Sequence, residues 1–185
     1  MRNALNKFTI FELVIIALMA ALGLATKPII VPLTHMVTGP LFIPGGAVAG
    51  GFYMFWIVLS AAFVKKRGVA TLTALTQAII VIVSGSFGSH GIVSLLTYTL
   101  PGFMVDFVFV LLRRNISSNI DFFVAGVIAN ISGTYLSNLV FFRLPFVPLV
   151  LSLATGALSG GLGGLIAYLI YNRLERFGLK DLLNN

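Results

Sequence analysis

The sequence predicts an all-α integral membrane protein, a single domain of six transmembrane helices with both termini in the cytoplasm. Three observations lead there. Apolar residues make up 58% of the 185-residue chain and charged residues only 9%, where a soluble domain averages about 25% charged. The apolar stretches are continuous, without the period-two alternation of a membrane β-barrel, and at about 20 residues per span they leave room for six helices and little else. Finally, ten of the twelve Lys and Arg residues fall on alternate connections: Arg2, Lys7, Lys65, Lys66, Arg67, Arg113, Arg114, Arg173, Arg176 and Lys180. Only Lys27 and Arg143 lie opposite, so the positive-inside rule holds at every turn.

Each span has local punctuation. Helix 1 covers 10–26 and stops at Lys27-Pro28, because the residue before a proline resists the helical region. Residues 29–40, broken by Pro32 and Pro40, read as an outer loop. Helix 2 covers 44–64, opening at Pro44-Gly45 and ending at the basic turn Lys65-Lys66-Arg67. Helix 3 covers 69–84, and a Gly/Ser loop carrying His90 leads into helix 4, 92–112, interrupted at Pro101-Gly102. Arg113-Arg114 ends it. Helix 5 covers 122–142, and a turn from Arg143 to Pro148 leads into helix 6, 149–171. The first span reads as a retained helix, because removing it as a signal peptide would leave an odd number of spans. There is no tandem repeat and no matched pair of broken helices of the inverted-repeat transporter kind.

Composition also removes function classes. The chain has no cysteine, so disulfides and thiolate metal sites are excluded. A phosphate-binding Gly loop with Lys-Ser/Thr, a His-Glu-x-x-His motif and a Gly-x-Ser-Gly nucleophile are all missing, which argues against an enzyme. No filter sequence or charged ring suggests a channel. The net charge of +7 reads as topology and not as a nucleic-acid surface.

Polar side chains concentrate in the outer halves of the helices. Gln77, Thr97, Tyr98, Tyr135 and Asn138 lie there, with His35, His90, Lys27 and Arg143 at the rim. Polar groups at membrane depth are costly and face the interior or a wet cavity, so the group predicts a pocket open to the outside. Hydrogen bonding to a neighbouring helix is the plainer account of any one of them. Tyr53 and Trp56, one turn apart, read as an aromatic wall or as packing. His90, flanked by glycines, is a candidate ligand contact or an ordinary loop histidine. Asp106 reads as a structural ion pair near Arg113 and Arg114, or as a partner contact. Ala17 and Ala21, four apart and extended by Gly23 and Ala25, form one small-residue helix face that either packs within the bundle or docks another protein. Gly156, Gly160 and Gly164 in helix 6, and Gly46 and Gly50 in helix 2, predict close backbone approach.

A basic N-terminus, Ala17-x-x-x-Ala21 in the first helix, six short-looped spans and a polar outer pocket resemble the S component of an energy-coupling factor (ECF) vitamin transporter, a class of ABC importer. The resemblance covers nearly the whole chain. It implies a non-catalytic, substrate-capturing subunit in a bacterial plasma membrane, whose Ala17/Ala21 face docks on a membrane T component driven by two ATPase subunits. It implies no intrinsic cofactor; the vitamin is cargo. The stretches ATKPIIVPLTHMVTGPLFIPGGAVAGG, GSFGSHGIVSLLTYTLPG and SNLVFFRLP are similar to a subgroup associated with cobalamin uptake. The expected ligand is therefore cobalamin or a related corrinoid, contacted by Gln77, His90, Tyr98, Asn138, Tyr53 and Trp56. No metal site is expected beyond His90 as a candidate ligand to the corrinoid's cobalt. Thiamine or its pyrimidine precursor is the alternative cargo, although the outer half lacks the acids a cation would favour. Outside the transporter class, the alternative is a small membrane scaffold.

The topology is testable directly. In sealed, right-side-out cells, Ser89→Cys and Pro145→Cys should react with an impermeant thiol reagent and Lys66→Cys should not.

Overall fold

Apolar runs interrupted by short polar turns fold into six helices, in a computed structural model that describes residues 8–41, 43–85 and 91–176. In chain order they are α1 (Ile10–Thr38), α2 (Gly45–Val64), α3 (Val69–Ser84), α4 (Ser94–Leu111), α5 (Asn119–Ser137) and α6 (Phe146–Arg176). Five are long and apolar enough to cross a membrane, and α3 is a shorter apolar helix. This is a multi-pass membrane protein.

The largest departure from the sequence reading is α1. It does not end at Thr26: it continues through Pro28 and Pro32 to Thr38, so the segment read as an outer loop is the helix's second half. A proline removes one backbone donor, and membrane helices absorb the loss where side-chain hydroxyls and neighbouring helices supply other bonds. Here Thr26 Oγ1 donates to the Gly23 carbonyl at 2.9 Å, and Thr34 Oγ1 lies within 3.0 Å of the Ile30, Val31 and Gly45 carbonyls. The Gly45 contact ties this half of α1 to the start of α2. Smaller shifts have similar local causes. α5 begins at Asn119 because Ser118 and Asp121 form a capping box, and it ends at Ser137, after which Asn138–Phe142 form a π turn. α6 begins at Phe146, with Pro148 in the first turn where its missing N–H costs nothing.

α2 is the centre of the bundle. It is 72% buried along its apolar window, against 17% for α1, and it packs on every other helix. The peripheral helices run around it, α1 on α3, α3 on α4, α4 on α5 and α5 on α6. Glycines set the closest approaches. A methyl group at Gly51 would strike the backbone of Ser159, one at Gly163 the backbone of Gly51, and one at Gly160 the backbone of Gly126. Two polar side chains lock these contacts. Ser159 Oγ accepts from the Gly51 amide at 3.0 Å and donates to the Val48 carbonyl. Asn130, 1% exposed, donates to the carbonyls of Ala47 at 2.9 Å and Gly156 at 2.8 Å, joining α5 to both α2 and α6. The close packing expected of the α6 glycines is what the structure has.

Charges gather at one end. Glu12, in a capping box with Thr9, pairs with Lys66 at 2.7 Å; Asp121 pairs with Arg114 at 2.7 Å; Glu175 lies 4.0 Å from Lys65. Asp106 forms no ion pair with Arg113 or Arg114. Its Oδ2 instead accepts from the Thr71 amide at 2.7 Å and hydroxyl at 2.6 Å, capping the first turn of α3 from α4.

Gly160→Ala and Gly163→Ala should each destabilise the bundle by about 1–3 kcal/mol, since the obstacle is backbone and cannot rotate away. Gly39→Ala, whose methyl would meet only the His35 ring at 3.5 Å, is the matched control. Thermal unfolding in detergent, followed by size-exclusion chromatography, reads the difference.

Candidate functional site

A cavity of about 390 Å³ opens among α1, α2, α3, α4 and α5, bounded also by the turn after α5 and the start of α6. Gln77 of α3, Thr97 and Tyr98 of α4 and Asn138, four of the five polar residues grouped from the sequence, share its wall, and Tyr53 of α2 lies there with them. Helix geometry brings them together: Gln77 is 2% exposed on the buried face of α3, and Tyr98 is 7% exposed on that of α4.

Local contacts fix each side chain. The Tyr53 hydroxyl donates to the Gly46 carbonyl at 2.7 Å. Asn138 Oδ1 accepts from the Leu144 amide at 2.8 Å, closing the turn that carries the chain into α6. Gln77 Nε2 is buried without a hydrogen-bond partner and lies against Gly23 of α1, where a side chain would collide with it. Gly23 thus belongs to the inward face of α1 and does not extend the Ala17/Ala21 face.

Other expected residues fall elsewhere. Trp56 is not on the cavity wall; it is partly buried one turn along, packed against the core with its ring 4.4 Å from that of Phe55. Tyr135 is 47% exposed on the outside of the bundle, and Arg143 is exposed in the turn after α5. His35 does line the cavity. His90 lies outside the described residues. No group of three or more His, Cys, Asp or Glu side chains placed to hold a metal occurs among the described residues.

The residue the sequence reading misplaced is Lys27. With helix 1 ended at Thr26, it read as a rim charge. In the continuous helix it lies within α1 and on the cavity wall, its Nζ 3.6 Å from the Tyr98 ring centroid and 4.4 Å from that of Tyr53. Its place as one of only two basic residues away from the inner turns, with Arg143, was the available signal. Thr134 and Ser137, one turn apart on α5, complete the polar wall.

On the opposite, outward face of α1, Ala17, Ala21 and Ala25 are exposed alongside Val14, Leu18 and Leu22. Among the described residues, no helix covers that stripe.

With this geometry in place, the sequence matches, over residues 11–132, the family described as the permease component of an ABC-type cobalt transport system. That is well over half the chain. The chain belongs to this permease family. Among solved structures, an S component of an ECF transporter is similar to it with a TM-score of 0.72 at 17% identity, over 94% of this chain and 89% of the other. At that identity the likeness establishes the fold. No curated protein matches the permease in sequence.

Asn138 has a structural task in this permease that Asp can also perform and Ala cannot. Asn138→Ala should lower stability by about 1–3 kcal/mol by leaving the Leu144 amide without its acceptor, whereas Asn138→Asp should lose less. Thermal unfolding of the two variants makes the comparison.

Proposed function

We propose that this permease is the substrate-capturing S component of an ECF-type importer in a bacterial plasma membrane, taking a small organic ligand from outside and docking through Ala17 and Ala21 on a T component driven by two ATPases. The observation that carries the proposal is the cavity: a hollow of about 390 Å³ in a small membrane bundle, walled by tyrosines, amides and hydroxyls. A scaffold protein has no use for such a hollow, or for a buried Gln77 amide without a partner. The uncovered alanine stripe on α1 supports docking, because small residues let a partner helix approach closely.

The wall chemistry separates the cargo candidates. A bare cobalt ion, which the family description brings to mind, prefers imidazole, carboxylate or thiolate ligands. The described wall offers one histidine, His35, and an ammonium, Lys27. A corrinoid, the ligand class the sequence suggested first, is several times larger than a one- or two-ring vitamin. The cavity lies near the lower end of the ~300–1,000 Å³ spanned by small-molecule pockets, so the volume favours the compact ligand. The pyrimidine half of thiamine is of suitable size.

The test measures two functions in one set of variants. Ala17→Leu and Ala21→Leu should abolish assembly with the T component and ATP-driven uptake while leaving ligand binding to the isolated protein unchanged. Gln77→Ala should do the reverse, weakening binding roughly tenfold to a hundredfold with assembly intact. Native mass spectrometry of the purified protein identifies the bound molecule. Uptake that survives both alanine substitutions, or binding that Gln77→Ala leaves undiminished, would count against this reading.

A further inference from the structure

Among the described residues, Lys27 is the one cationic side chain on the wall, and no described carboxylate answers its charge. Its ammonium sits between the Tyr53 and Tyr98 rings. Aromatic faces attract a cation but offer no lone pair to its three N–H donors. The chain has five acids. Glu12, Asp121 and Glu175 pair with Lys66, Arg114 and Lys65, and Asp106 caps α3 through Thr71. All four are therefore engaged with the basic turns. The fifth, Asp181, lies outside the described residues, and residues 86–90, also outside them, include no acid. Among the described residues, then, Lys27 has neither an ion pair nor a hydrogen bond.

An ammonium within a spanning helix is costly, and where one occurs it is normally paired. Gln77 Nε2, buried on the same wall without an acceptor, is a second unanswered donor. The described wall therefore carries one positive charge, on Lys27, and no carboxylate to balance it. We propose that the cavity selects a compact ligand bearing a carboxylate or phosphate, whose anionic oxygens seat on the Lys27 ammonium and leave the ring-bearing part against Tyr53 and Tyr98. This rests on the S-component reading and names its substrate class. A cationic ligand would meet like charge in a low-dielectric cavity, and a neutral one would leave the ammonium unanswered.

The test uses the full-length protein in lipid nanodiscs and four probe pairs that differ by one acidic group: nicotinate and nicotinamide, pantothenate and panthenol, pyridoxine 5′-phosphate and pyridoxine, thiamine monophosphate and thiamine. At least one acid should bind at least about 30-fold more tightly than its partner, and the pair that responds distinguishes carboxylate from phosphate. Lys27→Met should erase the difference, and Lys27→Arg should keep most of it. Equal binding within every pair, no binding of any probe, or a preference that survives Lys27→Met overturns the proposal. Should Lys27→Met fail to fold, the wild-type pairs and Lys27→Arg decide. A protein that prefers acids but never joins a T component overturns the S-component reading and leaves the anion site standing. One that docks and imports a neutral ligand overturns the anion site alone.

Discussion

The contact among α2, α5 and α6 is the one on which the remaining architecture depends. In lipid there is no hydrophobic force to gather helices, so association rests on close packing and on hydrogen bonds between them. Gly51, Gly126, Gly160 and Gly163 remove the side chains that would hold the backbones apart. Asn130 then reaches the carbonyls of two other helices, and Ser159 bridges to α2. Without these contacts α2 would lose its place at the centre, and with it the positions of Tyr53 and Met54 on the cavity wall.

Around that lock the bundle separates its tasks by end. The described carboxylates pair with or cap elements at the basic turns, which fixes the helix ends there without spending a charge at the cavity. The cavity keeps hydroxyls, amides, one imidazole and one ammonium. α1 serves both regions, with the exposed alanines on its first half and Lys27 and His35 on its second. A single helix thus carries an exposed small-residue face on one side and part of the cavity wall on the other.

Much of this was legible in the sequence, for identifiable reasons. Helix number, the boundaries of α2 and α3, and the gathering of Gln77, Thr97, Tyr98 and Asn138 follow from apolar run length and from the cost of polar groups in lipid. Two things were hidden by one local rule. Proline ends most helices in water, and applying that rule at Pro28 cut α1 short and moved Lys27 out of the cavity. In a membrane, threonine hydroxyls and adjacent helices take up the disturbance. Asn130 escaped notice because a single amide within an apolar run carries no sign of what it will face; its partners, Ala47 and Gly156, are separated from it by 83 and 26 residues. Spacing alone leaves Trp56 between an aromatic wall and simple packing; one helical turn takes it off the cavity wall and against the edge of the core.

Helix length has a consequence for the surrounding lipid. At about 1.5 Å per residue, the 29 residues of α1 and 31 of α6 rise roughly 43 and 46 Å, and the 16 residues of α3 roughly 24 Å. A hydrocarbon layer of about 30 Å cannot match both. The long helices must tilt or emerge, while the shortfall at α3 is met by local thinning, by snorkelling flanking residues or by a neighbouring helix, each at a modest cost per ångström of mismatch. The mismatch is therefore uneven around the bundle, with the shortfall at the helix that contributes Gln77 to the cavity wall. Bilayer thickness thereby becomes a variable that acts on the cavity from outside the protein.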